Sequence, residues 1–236
     1  MDEYEDSRAE ETQATDEGVT LPALPVRLMN VLFSPGRLME QLAERPVWAG
    51  AMLVSAVIVG LSIAFIPAEV IMEANRQAAI ERGGEFPEMG EEAMRALRII
   101  IPVTTMISSV IFSFLFAGIY TVIFAFVLGD EGRYAQYLAV VTHAWFIAAL
   151  FGLLVTPLRI STGDPQFTLN LASFFFFLPD GYVLNVFRVL DLTQIWSTLV
   201  IAQGAHTIDR RRSFSSAATI LLGVLLAIAL VIGRFM

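Results

Sequence analysis

The chain has 236 residues, 56% of them hydrophobic and only 16% charged, with a mean hydropathy of +0.67 and a formal net charge of -8. Soluble domains run at about 45 to 50% apolar and about 25% charged residues, so this composition excludes an ordinary water-soluble globule and is that of a membrane protein. There is no cysteine, which excludes disulfides, thiolate catalysis and cysteine-based metal sites together.

Most of the negative charge lies at the start, where Asp2, Glu3, Glu5, Asp6, Glu10, Glu11, Asp16 and Glu17 face a single basic residue, Arg8. Residues 1–20 have little apolar surface to offset the entropy of ordering and are predicted to form a disordered, solvating acidic tail. They lack the basic start and apolar run of a secretory signal, so the first hydrophobic segment is expected to stay in the mature chain. Residues 21–46 read as a juxtamembrane amphipathic region. Ser34 stands where it can cap a short helix starting at Pro35, with Leu38, Met39 and Leu42 on one face and Arg37, Glu40, Gln41 and Glu44 opposite. Such a helix is expected in the headgroup zone with its apolar stripe toward lipid.

Residues 47–236 read as a five-helix transmembrane domain, giving the fold class: all-α, polytopic, with five transmembrane helices plus short interfacial or re-entrant helices. The uncharged segment 47–66, bracketed by Pro46 and Pro67, would cover about 30 Å as a helix and forms the first span. An outer polar loop, 67–98, mixes glutamate with arginine and breaks at Gly83, Gly84 and Pro87, which predicts two short polar helices in water. The second span, 99–128, would measure about 45 Å as one helix and must tilt or protrude, with Pro102 in its first turn. After the turn 129–133 comes the third span, 134–158, carrying His143 near its middle. Residues 167–190 hold two greasy stretches, FTLNLASFFFFL and YVLNVFRVL, separated by Pro179, Asp180 and Gly181. Each is too short to cross, which predicts a pair of short helices dipping into or lying across one leaflet, with Asn170 and Asn185 where water or neighbouring helices satisfy them. Spans four and five follow at 192–208 and 214–232. The basic loop Asp209, Arg210, Arg211 and Arg212 is assigned to the cytoplasm, and alternation from it places the amino terminus inside and the carboxyl terminus outside.

Two sets of intramembrane polar groups are candidates for function. His143 is an ionisable group at mid-span, and Asp191, Gln194 and Thr198 recur at i, i+3 and i+7, one stripe that can face the bundle interior and receive an ion or proton. The plainer reading spends the same groups on structure. Asp191 caps its helix with Gln194 reaching back, Arg188 pairs with Asp191, and a neutral His143 bonds a backbone carbonyl or one of Ser108, Ser109 and Ser113 on a neighbouring helix. Gln203 and His206 sit near the arginine loop, within reach of water. The sequence has no HExxH, no phosphate-binding GxxxxGK[ST] loop and no GxSxG elbow, so no catalytic, cofactor-binding or metal residue is identified and no cofactor is expected.

Three stretches carry a family likeness: LFSPGRLMEQLAERPVW before the first span, GDEGRYAQYLAVVTHAWFIAALFGLLVTPL through the third, and LNVFRVLDLTQIWSTLVIAQGAHTI through the fourth. Together they resemble the bacterial branch of the Yip (Ypt-interacting protein) membrane domain family over approximately residues 32–230. The motif-matching positions are Ser34, Pro35, Gly132, Tyr134, Asp191, Ile195, Trp196 and Gly204. The resemblance implies five helices, a cytoplasmic amino terminus and no enzymatic activity. Eukaryotic members bind prenylated Rab-type GTPases, but this chain has Ser34, Pro35 and Gly36 where they carry an Asp-Leu-Tyr-Gly-Pro signature, so Rab binding is not implied.

The leading functional expectation is a non-enzymatic scaffold or organiser of membrane components in the cell inner (plasma) membrane. Its partners would be the lipid bilayer and other membrane proteins or further copies of itself, with no nucleic acid. The alternative is a small transporter or lipid-moving protein using His143 and the Asp191 face. A cavity joining those groups would favour transport, and close packing would favour the organiser.

Overall fold

The computed structural model describes residues 20–86, 90–175 and 177–236. The expectations for the acidic tail, and for Pro87 as a breaker, fall outside these residues. Ten α-helices are described: α1 Leu24–Phe33, α2 Pro35–Glu44, α3 Ala49–Ala64, α4 Ala68–Glu81, α5 Glu91–Thr121, α6 Tyr134–Leu154, α7 Thr156–Thr162, α8 Tyr182–Val189, α9 Leu192–Ile208 and α10 Phe214–Gly233. Val122–Val127 continues α5 as a π-helical segment and Leu171–Phe174 is a single 3-10 turn. No strand occurs among the described residues beyond one isolated bridge between Asn170 and Asp191, so the fold is all-α.

Three helical segments are long and apolar enough to cross a membrane: Glu91–Val127, Tyr134–Leu154 and Phe214–Gly233. The number rises to four if α3 and α4, bent by 80° at Pro67, count as one broken span. These helices differ in what covers them. In its most apolar window α6 is 61% buried, against 17% for α5 and 33% for α10, which makes α6 the central helix and the other two peripheral. Nearly every α6 side chain from Gln136 to Ile147 is buried, on all sides of the helix, because α3, α5 and α9 pack around it and α1 and α2 cover its first turns. The outer faces of α5 and α10 leave Ile99, Val103, Ile107, Ile111, Val224, Ile228 and Val231 exposed, a surface that is costly in water and neutral in hydrocarbon.

Close approach of α9 to α6 depends on Gly204, where a Cβ would run into both γ-methyls of Val140. A glycine there lets the two backbones near each other and gain dispersion contacts that no hydrophobic driving force supplies in lipid.

Several local expectations are revised. An unforeseen helix, α1, precedes Ser34 and ends there, since a residue before proline is driven out of the helical region. Ser34 is the N-cap residue of α2 and Pro35 its first residue, but the Ser34 side chain makes no capping bond. The stripe Leu38, Met39 and Leu42 does not face lipid: all three are fully buried where α2 packs on α9 and α6. Of the two polar helices expected in 67–98, one is α4. The second is the opening of α5, which runs unbroken from Glu91, so Pro102 lies inside that helix instead of in its first turn. The third span stops at Leu154, and the chain turns into the short α7 ahead of Pro157. Residues 167–175 are not a helix. Leu171 N–H donates to Leu190 O at 2.9 Å and Leu192 N–H to Leu169 O at 2.8 Å, an extended pairing that leaves room only for the 3-10 turn Leu171–Phe174. The second half of that pair, α8, is helical and packs on α10, where Gly233 abuts Val186.

One end of the bundle is held by a charged latch. The Arg212 guanidinium pairs with Asp130, both Nε and Nη2 donating to its carboxylate, with the two side chains only 13% and 7% exposed, and it lies over the Phe124 ring at 5.8 Å. Asp209 accepts the Glu131 N–H at 2.9 Å and the Arg211 guanidinium at 2.8 Å. Arg210 reaches Glu40 at 2.9 Å, and Gln136 Nε2 donates to Ala43 O at 2.7 Å, so α2 is fastened to the same end. The turn 129–133, the loop 209–213 and the α1–α2 hairpin therefore meet on one side. At the other end Arg98 pairs with Glu69 at 2.5 Å and the Tyr182 hydroxyl donates to Leu230 O at 3.0 Å.

Three outcomes follow from this packing. Arg212→Ala strands Asp130 and should cost about 2 to 3 kcal/mol, the low end for a buried pair because Arg212 keeps some solvent contact, read as a lowered unfolding midpoint in detergent. The Arg211 guanidinium, then the Glu131 and Arg211 amides, hold the Asp209 carboxyl well below the usual carboxylate range. Its contribution is thus fully present above about pH 4, the unfolded value, and is lost as pH falls through the folded one. The stability gap between wild type and Asp209→Asn should stay constant from neutral pH down to about pH 4 and shrink below it. Gly204→Leu should lower the unfolding midpoint by overpacking, worth about 1 to 3 kcal/mol, whereas the same change at Gly223, which faces open space, should not.

Candidate functional site

A cavity of about 590 Å³ lies between α3, α5, α6 and α9, within the roughly 300 to 1,000 Å³ typical of small-molecule sites. The end of α6, the start of α7 and residues 166–169 wall its unlatched end, together with Arg188 and Asp191. Asp191, Gln194 and Thr198 all line it, so the stripe read from the sequence does face an interior space.

Most hydroxyls along the wall are already spent. Ser113 Oγ donates to Ser109 O at 2.9 Å, Thr142 Oγ1 to Leu138 O at 2.9 Å, and Thr198 Oγ1 to Gln194 O at 2.7 Å, each within its own helix. Ser197 Oγ bonds Thr193 O at 2.8 Å and reaches Ala144 O across to α6 at 3.1 Å. These residues therefore present mainly their carbon atoms to the cavity. Ser55 differs: it is 8% exposed, lines the cavity, and its Oγ has no hydrogen-bond partner.

Asp191 is the N-cap of α9. Its Oδ1 accepts the Thr193 N–H at 2.7 Å, the Gln194 N–H at 3.0 Å and the Thr193 hydroxyl at 2.5 Å. Gln194 does not reach back to complete a box, and Arg188 turns away from Asp191 to Asp180 at 3.2 Å and Asn185 at 3.0 Å. Arg159 lines the cavity as well. Its Nε donates to Phe167 O at 2.9 Å and its Nη1 to Ser62 Oγ at 3.3 Å, and it makes no ion pair among the described residues. Burial pushes its guanidinium below the ordinary value, while Asp164 and Asp191 pull it back up.

His143 is elsewhere. It is fully buried in α6, Nδ1 lies 2.8 Å from Ala139 O one turn earlier, and Nε2 has no partner. None of Ser108, Ser109 and Ser113 bonds it. Ser109 and Ser113 bond carbonyls of their own helix, because a serine in a helix reaches the preceding turn more easily than a neighbour. His143 does not line the cavity, so the structure separates it from the Asp191 stripe. Among the described residues no group of three or more His, Asp or Glu side chains could hold a metal ion. Two cavity residues, Ser55 and Arg159, were not singled out from sequence. The available signal was Arg159 directly after an uncharged span.

The motif positions are built into contacts. Gly132 leaves room for the Tyr137 ring, which stacks on Phe124 at 5.9 Å, and the Tyr134 hydroxyl donates to Phe114 O at 3.0 Å. Ile195 packs with Val186, Leu190 and Leu225, and Trp196 meets Phe151 at 6.0 Å. Each couples two elements of the bundle, as residues that define a shared architecture would.

No curated protein and no solved structure matches this chain. A family model described as the Yip1 domain matches residues 29–234, from within α1 to the end of α10. The span of that match takes in the latched hairpin, the central helix and both peripheral apolar helices. On that ground this all-helical membrane protein belongs to the Yip1 domain family.

Proposed function

We propose that this protein is a non-enzymatic organiser of membrane components, crossing the bacterial inner membrane five times with its amino terminus in the cytoplasm. One observation carries the reading: His143 does not open into the cavity that Asp191, Gln194 and Thr198 line, so the groups that a transport path would use are not joined by it. Asp191 is engaged as a helix cap, and a capping carboxylate held by three donors is poorly placed to cycle an ion. The cavity shows no nucleophile paired with a base, which supports a binding role over a catalytic one. The latch supports a rigid platform on which a partner can dock, since α2, the 129–133 turn and the 209–213 loop are joined by several ion pairs.

The fourth crossing is α9, 17 residues and about 25 Å long, which reaches from Asp191 at one end to the latch at the other. Five crossings put the two termini on opposite faces, and the arginines of the latch favour the cytoplasm for that end.

Because the chain has no cysteine, single replacements report sidedness cleanly. In intact cells Glu92→Cys and Phe235→Cys should react with an impermeant maleimide and Arg37→Cys should not; labelling of Arg37→Cys and Phe235→Cys from the same side would refute the five-fold crossing. Recovery in mild detergent should return a reproducible set of membrane proteins, and proteoliposomes should show no solute flux above empty vesicles. Flux with no recurrent partner would sink the organiser role. His143→Leu should leave unfolding midpoint and partner recovery unchanged or slightly raise stability, because it removes a buried nitrogen that lacks a bond.

A further inference from the structure

We propose that the cavity between α3, α5, α6 and α9 is a binding site for a phospholipid with an anionic headgroup, the phosphate held at Arg159 and an acyl chain running inward past Ser55. This inference requires that the apolar helices lie in a bilayer, and does not depend on the organiser role or on the number of crossings.

The charge argument comes first. Arg159 is half-buried beside the unlatched end of the cavity, and neither of its bonds is to a carboxylate. Phe167 O and Ser62 Oγ take Nε and Nη1, which fixes the guanidinium plane, and Nη2 makes no hydrogen bond among the described residues. A planar, oriented guanidinium that makes no direct ion pair among the described residues, Asp164 and Asp191 acting on it only at longer range, fits a phosphate oxygen. The exposed polar residues on the wall, Gln166, Arg188 and Gln194, lie at this same end, so a headgroup can reach it from the aqueous face.

Depth comes next. Ser62, bonded to Arg159, and Ser55 stand on the same helix, α3, about 10 Å apart at 1.5 Å per residue. Between and beyond them the wall is mostly apolar, with Ala, Val, Phe and Trp side chains, the Tyr120 phenol, and threonines and serines whose hydroxyls bond carbonyls of their own helices. Ser55, which lines the cavity, is the wall serine whose hydroxyl has no hydrogen-bond partner, and it is more than nine-tenths buried. A ligand that fits has an anionic head, an apolar body and an oxygen acceptor on the way down, which are the phosphate, chain and ester carbonyl of a phospholipid. A free phosphate would leave the apolar depth empty, and an uncharged lipid would offer the Arg159 guanidinium no anionic oxygen.

Native mass spectrometry of the purified full chain, mixed with phosphatidylglycerol or phosphatidylcholine of identical acyl composition, tests this directly. Wild type should retain phosphatidylglycerol in preference. Arg159→Gln should reduce that retention about tenfold, the scale of one charge-assisted hydrogen bond, and should reduce retention of phosphatidylcholine, whose phosphate is offset by its own ammonium, by less. Ser55→Leu, which fills the cavity without touching the headgroup end, should lower retention of phosphatidylglycerol while leaving the unfolding midpoint near wild type. Arg133→Gln, an exposed arginine beside the latch, should behave as wild type. Equal retention of both lipids by wild type would overturn the proposal. So would undiminished phosphatidylglycerol binding by folded Ser55→Leu, which keeps the test decisive even if Arg159→Gln does not fold.

Discussion

The arrangement of this protein depends on one helix being covered on every side. α6 has no polar stripe to turn toward water, and its backbone groups are satisfied internally, so it can be surrounded by other helices at no hydrogen-bonding cost. Once it is central, α3, α5 and α9 must present faces that fit it, and their remaining faces are left for the surroundings. On α5 those remaining faces are apolar through most of the length, which only a hydrocarbon solvent accepts. Small residues set how close the partners come: Gly204 admits Val140, and Gly60 leaves room for Met106.

The two ends of the bundle are built differently. At the latched end, charges are paired across three separate stretches of chain, and the pair Arg212 and Asp130 is largely withdrawn from solvent, where losing one partner leaves the other uncompensated. That end is held as a unit. At the other end the chain breaks into short pieces, α4, α7, the 3-10 turn and α8, and the ion pairs there are exposed and weakly stabilising. The cavity is walled at this less constrained end.

Polar side chains inside the bundle are economical. Serine and threonine hydroxyls return to the carbonyl one turn back, Asp191 Oδ1 caps its own helix, and the His143 Nδ1 stays on α6. Against that background the free Ser55 hydroxyl and the unpaired Arg159 stand out, because both lie on the same interior wall.

The sequence by itself determined the solvent and the class. Uncharged runs bounded by proline, glycine and arginine announced apolar helices, because a helix in hydrocarbon needs length and an absence of charge, and both are local properties. The capping position of Asp191 was legible for the same reason, since it involves residues two and three places away. Pairings between distant segments were not legible. Arg212 is three residues from Asp209 in the chain, but its side chain bonds Asp130, 82 positions earlier, and the Arg188 side chain pairs with Asp180 instead of the nearer Asp191. The amphipathic stripe of α2 gave its face but not its occupant, as protein and lipid are equally apolar to Leu38 and Leu42. Only the tertiary structure decided that α9 and α6 cover it. It alone separated His143 from the Asp191 stripe, because the helical period specifies which residues share one helix face and says nothing about which faces of different helices meet.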